Sequence, residues 1–120
     1  MSGLESQIAR DLTQLGVKFQ YEKKVFTYDK PARQARYKPD FILDNGTIVE
    51  AKGYFPTADR QKHKLIKVQC PTLDIRFVFS NPNQRISKQS QTTYAMWCEQ
   101  HGFKYAKGTV PKEWVNEKPH

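Results

Sequence analysis

Tyr37-Lys38-Pro39-Asp40-Phe41-Ile42-Leu43-Asp44-Asn45-Gly46-Thr47-Ile48-Val49-Glu50-Ala51-Lys52-Gly53 is the stretch whose reading decides the fold. Two apolar runs flank Asn45-Gly46, the strongest short signal for a β-hairpin. Asp40, Glu50 and Lys52 are set into those runs beside Phe41, Ile42, Ile48 and Val49. A strand that only had to pack would not place carboxylates there. Like charges facing each other across a sheet repel, and buried carboxylates are costly unless paired or bound to a metal. A divalent cation between them resolves the conflict, and that chemistry points to hydrolysis of a phosphodiester.

The register can be counted. A two-residue loop pairs Leu43 with Ile48 and Asp40 with Ala51, which turns Glu50 away from Asp40. A three-residue loop, Asp44-Asn45-Gly46, suits a type I turn with glycine in the left-handed position. It pairs Leu43 with Thr47, Ile42 with Ile48 and Asp40 with Glu50, and side-chain alternation then brings Lys52 to the face of Glu50. The proposed chemistry selects the three-residue loop.

Working outward, 120 residues make one domain large enough for a core. No apolar run resembles a signal peptide or a membrane span. Twenty Lys and Arg against twelve Asp and Glu leave a formal charge of +8, which suggests a polyanionic partner such as nucleic acid, or simply a well-solvated basic surface. Cys70 and Cys98 form neither a disulfide framework nor a zinc site and read as reduced thiols of a cytoplasmic protein. His63, His101 and His120 have no metal-ligand spacing, so a metal here is expected to be hard and oxygen-bound, Mg2+ or Mn2+.

Residues 2–15 read as a helix with Leu4, Ile8, Leu12 and Leu15 on one face, stopped by Gly16. Val17, Phe19 and Tyr21 alternate as a strand that residues 25–28 continue or pair with. Residues 29–36 are polar, basic and carry Pro31, and read as a connection rather than packed structure. Residues 57–69 form a basic helix whose inner face is assigned to Leu65 and Ile66 with Ala58 and Val68. Residues 73–80 are an apolar, central strand. A loop over 81–91, a helix over 92–101 stopped by Gly102, a strand over 103–106 and a cap over 110–115 with Trp114 complete an α/β domain on a mixed sheet. Trp97 and Trp114 are assigned to the core.

Phosphodiester cleavage needs an activated water, neutralised phosphate charge and help for the leaving oxygen. Pro-Asp followed by Glu-x-Lys on the adjacent strand supplies carboxylates for a cation and a lysine for the water or the phosphate. Glu-x-Lys alone is weak, and an exposed hairpin with a Glu–Lys pair is its plain alternative. Glu5 has two readings: Ser2-x-x-Glu5 is a capping-box pattern, and the same helix could aim Glu5 at the metal. Arg60, Lys62 and Lys64 on the basic helix, with Arg33, Arg36 and Lys38 ahead of Asp40, read as DNA-backbone contacts or as a solvated face.

Ser-Gly-Leu-Glu at the start, Gly-Val-Lys-Phe, Tyr-Lys-Pro-Asp-Phe-Ile-Leu, Asn-Gly-Thr-Ile-Val-Glu-Ala-Lys-Gly and Leu-Asp-Ile-Arg-Phe-Val-Phe-Ser resemble the bacteriophage endonuclease I family. Residues 94–102 and Val110-Pro111-Lys112-Glu113-Trp114-Val115 extend the similarity over almost the whole chain. The resemblance implies a restriction-endonuclease-like PD-(D/E)xK fold and a Mg2+-dependent homodimer that resolves four-way (Holliday) junctions. Mn2+ is expected to substitute, with one or two ions per site. It places catalytic roles on Glu5, Asp40, Glu50 and Lys52, and metal ligation on Asp40, Glu50, the Ala51 backbone carbonyl and Glu5. It also implies an intertwined dimer in which a bridge, about residues 30–37, exchanges the amino-terminal part between subunits and makes each site composite. A longer amino-terminal extension and a basic carboxy-terminal tail of the family are not matched here, which bears on affinity rather than chemistry.

The expectation is therefore a structure-selective DNA endonuclease of the host cytoplasm, if phage-encoded, with no membrane and no organic cofactor. The alternatives are a nuclease of the same fold that cuts flaps or linear duplex, and a noncatalytic branched-DNA-binding module.

Overall fold

In the computed structural model, which describes residues 2–119, the hairpin forms in the expected register. Strand β4 (Phe41–Leu43) pairs antiparallel with β5 (Ile48–Lys52), Ile42 opposite Ile48. Leu43 N–H donates to Thr47 C=O, and Gly46 turns the chain at φ 91°, the left-handed region that glycine enters without steric cost. The loop is the three-residue one. His120 lies outside the described residues.

Around this hairpin a five-stranded mixed sheet assembles in the order β1-β4-β5-β6-β7, with β1 (Phe19–Tyr21), β6 (Ile75–Phe79) and β7 (Lys104–Lys107). β1 and β4 are antiparallel, whereas β5, β6 and β7 run parallel, as helical crossovers require. α2 (Thr57–Gln69) and α3 (Tyr94–His101) make those crossovers; α1 (Gly3–Gln14) precedes the sheet and α4 (Lys112–Asn116) follows it.

Two apolar clusters, one on each face of the sheet, follow from strand alternation. Ile48, Phe77 and Phe79 join Phe55, Ile66, Trp97 and Phe103 on one face. Val49 and Val78 join Ile8, Leu12, Val110 and Trp114 on the other. Both tryptophans are core residues, as expected. Helices thus cover both faces, and the inner strands β5 and β6 are almost wholly buried.

Three sequence expectations change. Residues 29–36 are not a mere connection: β2 (Phe26–Lys30) and β3 (Arg33–Tyr37) form a separate two-stranded sheet, Lys30 opposite Arg33. Tyr28, Ala35 and Tyr37 on its alternate positions are buried against the α2 side, which the polar residues between them disguise. The strand over 17–21 neither continues into nor pairs with residues 25–28; its partner is β4. On α2 the inner face is Arg60, His63 and Ile66, with Leu65 packed at its margin, while Ala58 is exposed and Val68 is 80% exposed.

Buried Arg76 and Asn45 both have partners. Arg76, buried in β6, is held by Asp74 and Glu117 and lies over the Trp114 ring. Asn45, chosen by the turn, also serves the tertiary fold: its Nδ2 donates to Trp114 C=O at 2.8 Å and Glu117 C=O at 3.2 Å, and its Oδ1 accepts from Thr47 N–H. Asn45→Ala removes all three bonds from a buried position and is expected to destabilise the chain by about 2 kcal/mol. The measurement is a urea unfolding curve with a lower midpoint and an unchanged slope.

Candidate active site

The end of the β4–β5 ladder is where the chemistry-bearing residues meet. In an antiparallel pair, hydrogen-bonded residue pairs alternate with non-bonded ones. Leu43 and Thr47 form a bonded pair, so Phe41 and Val49 form the next and Pro39 and Ala51 the one after. Pro39 has no N–H to offer the Ala51 carbonyl. The ladder therefore stops, and side chains complete it: Ala51 N–H donates to Asp40 Oδ2 at 2.9 Å, and Asp40 N–H donates to Glu50 Oε2 at 2.9 Å. The Asp40 carboxylate is thus held by the Ala51 N–H and the Glu50 carboxylate by the Asp40 N–H, and strand alternation turns the Ala51 carbonyl toward the β4 side as well.

Glu50 lies on the α2 face of β5 and is only 3% exposed. Its Oε2 also accepts from the Tyr37 hydroxyl at 3.1 Å, while Oε1 has Lys52 Nζ at 3.9 Å. Lys52 itself is closer to Asp59, at the start of α2, with Nζ 3.2 Å from Oδ2. The expected grouping of Asp40, Glu50 and Lys52 is present, with Asp59 as an acidic partner of the lysine that the sequence reading did not include.

Glu5 forms the capping box and also stands beside Asp40. Ser2 and Glu5 form the capping box that starts α1. Its second oxygen accepts from the Tyr21 hydroxyl at 2.7 Å, and its carboxylate lies with those of Glu22 and Asp40, ligand atoms within 4.8 Å of one another. Glu22 is new. It follows β1, its N–H bonds to Asp40 C=O, and its φ of 49° places it in a backbone region that non-glycine residues seldom adopt. Only the β1–β4 register, Tyr21 opposite Phe41, reveals that Glu22 sits beside Asp40. No local sequence signal carries that pairing.

The electrostatics match the crowding. Burial, and then the Asp40 charge, push the Glu50 carboxyl up to about 7. Burial raises Asp40 as well, against the Ala51 N–H bond that favours its charged form. His63, beneath Glu50 on α2, is held neutral, its pKa lowered to about 3 first by burial and then by Lys52 and Lys62. A chain with a net charge of +8 thus brings the carboxylates of Glu5, Glu22 and Asp40 together, with Glu50 bonded to the Asp40 N–H beside them. Their all-oxygen donor set, with the Ala51 carbonyl, fits a hard divalent cation and not a soft one.

Among the basic residues, Arg33, Arg36, Lys38 and Lys64 are exposed, and Lys62 lies over the Tyr37 ring at 5.2 Å. Arg60 is a correction. It is buried, with its guanidinium donating to Phe55 C=O at 2.7 Å and Thr57 Oγ1 at 2.9 Å, so it fastens the start of α2 and is not available to DNA.

The ionised form of Glu50 is the disfavoured one in the fold. Its folded pKa of about 7 lies above the ordinary 4.5, so its contribution to stability is full below about 4.5 and lost as the pH rises through 7. The difference corresponds to roughly 3 kcal/mol. In chelator, the native chain is expected to lose stability between pH 5 and pH 8 relative to Glu50→Gln, the variant being the more stable at pH 8; parallel urea midpoints for the two would contradict this.

The phage endonuclease I family model matches residues 1–120. Endonuclease I of Escherichia phage T7 is 46% identical over 116 residues, covering 97% of this chain and 78% of that protein. Endodeoxyribonuclease 1 of Enterobacteria phage T3 is 43% identical over 116 residues, covering 97% of this chain and 76% of that protein.

Proposed function

The chain belongs to the phage endonuclease I family, and from that premise we propose a DNA endonuclease that resolves four-way junctions and other branched DNA by cation-dependent hydrolysis on a PD-(D/E)xK fold. The observation that carries the reading is the interrupted ladder, in which backbone N–H groups hold the carboxylates of Asp40 and Glu50 on adjacent strands with Lys52 Nζ 3.9 Å from Glu50 Oε1.

Asp40, Glu50 and the Ala51 carbonyl would hold the cation, with Glu5 completing the set. One or two Mg2+ ions, or Mn2+ in their place, would supply an activated water near neutral pH and offset charge on the phosphate. Lys52 orients the attacking water or meets the charge that develops on the phosphate oxygens. Asp59 holds the ammonium at the mouth of the site until substrate arrives. Glu50 has to be ionised to bind a cation, and the work of ionising it is returned when the cation binds.

Arg33, Arg36, Lys38, Lys62 and Lys64 supply contacts to the DNA backbone, whose polyanionic charge suits the basic chain. Selectivity for a branch needs two sites at a fixed separation, hence a homodimer. The β2–β3 hairpin favours segment exchange as its source. Its two-residue turn is Pro31-Ala32, and neither residue has the positive φ of the turns that match strand twist. Opening the hairpin there and pairing each strand with a second copy keeps every β2–β3 partner and removes the mismatched turn.

Cleavage of a labelled four-way junction beside its matched duplex tests the function. Paired nicks near the branch point, dependent on Mg2+ and weak on duplex, are expected. Asp40→Ala, Glu50→Ala and Lys52→Ala should each cut by about 10²- to 10⁴-fold less while still binding the junction. Equal cutting of both substrates would discard junction selectivity, and binding without cutting under any divalent ion would leave a DNA-binding module. Sedimentation tests the dimer separately: the native chain should run as a dimer, and Pro31→Asn with Ala32→Gly, which suits a closed hairpin, should shift it towards monomer. A monomeric native chain would remove the exchange.

A further inference from the structure

Helix α2 stands over strand β5 with matched spacing. Four residues of helix rise about 6 Å, and two residues of strand span about 6.6 Å. A helix laid along the strand therefore sets Asp59 and His63 against Lys52 and Glu50. The structure shows both contacts: Asp59 Oδ2 is 3.2 Å from Lys52 Nζ, and His63 Nε2 is 3.8 Å from Glu50 Oε1. The first is a formed ion pair. The second is a donor and an acceptor that stop just short of bonding.

His63 is fully buried, and among the described residues neither ring nitrogen has a hydrogen-bond partner. Its ring meets Tyr37, Phe77 and Phe103 edge-on and Phe55 at a tilt. In that aromatic setting a phenylalanine would pack without leaving polar atoms unpaired, so packing does not account for an imidazole. Glu50 does. An ionised carboxylate offers about four acceptor positions on its two oxygens. Asp40 N–H and the Tyr37 hydroxyl take both on Oε2, and Oε1 is left to His63, Lys52 and any bound cation.

We propose that His63 is a positioning residue for Glu50: the imidazole, with a proton on Nε2, donates to Oε1 and fixes the orientation in which that carboxylate meets a divalent cation. The proposal rests on the reading of Asp40 and Glu50 as cation ligands. Groups that orient metal ligands in this way are typically worth 10- to 100-fold in metal affinity.

The test uses the whole chain without DNA, with Mn2+ as the probe. Mn2+ binding by calorimetry, thermal midpoints in chelator and junction cleavage are compared for native, Asp40→Asn, His63→Phe and His63→Gln. His63→Phe keeps the ring volume and removes the donor; His63→Gln keeps an amide donor. The expected result is that His63→Phe holds or raises the midpoint, binds Mn2+ at least tenfold more weakly and loses kcat with little change in KM. His63→Gln should recover most of the Mn2+ affinity. If His63→Phe fails to fold, His63→Met replaces it as the donor-free variant. Native Mn2+ affinity in a folded donor-free variant would overturn the proposal alone. A native chain whose Mn2+ binding is absent, or is unaffected by Asp40→Asn, would overturn the cation reading and this proposal with it.

Discussion

The reciprocal bonds between Asp40 and the Glu50-Ala51 segment are what the rest of the site depends on. A proline at position 39 ends the backbone ladder one pair too soon, and two side chains take over its role. The same act that terminates β4 fixes a pair of carboxylates at a separation and orientation that free side chains would have to lose entropy to adopt. It also leaves a carbonyl facing the gap. Rigid strands on both sides of the sheet's centre, each covered by helices, keep this corner from relaxing.

Burial beneath α2 then makes the arrangement demanding. Glu50 is buried against the Tyr37 hydroxyl and an uncharged His63, so its charge is disfavoured unless something positive reaches it. Lys52 is the nearest ammonium, but Asp59 competes for it. The protein thus stores stability loss at one carboxylate, and a bound cation would release it.

The basic residues divide by the same logic. Lys64 and the β3 arginines are solvated and able to meet a polyanion, whereas Arg60 turns inward to bond Phe55 C=O. Arg76 is another internal arginine, satisfied by two carboxylates at the far end of β6 from the site. Net charge describes the chain's partner, but only burial says which cations can reach it.

The sequence by itself determined the hairpin, because Asn45-Gly46 is a local signal and Gly46 must enter the left-handed region; counting narrows its register to two loop lengths, and the carboxylate chemistry selects between them. It determined α1 with its capping box, the buried β6 and the grouping of Asp40, Glu50 and Lys52, since strand alternation carries that information without reference to anything distant. Similarity to a known family extended the reading to Glu5. The tertiary structure alone decided the rest. Glu22 joins Asp40 through the β1–β4 pairing, Asp59 and His63 reach β5 across a helix–sheet interface, and Arg60 is drawn inside by a carbonyl that follows a turn. Residues 29–36 hid their strands because one face of that hairpin is polar and its buried face is completed by α2, a contact no local pattern encodes. What pairing and packing bring together from separate parts of the chain has no periodicity to announce it.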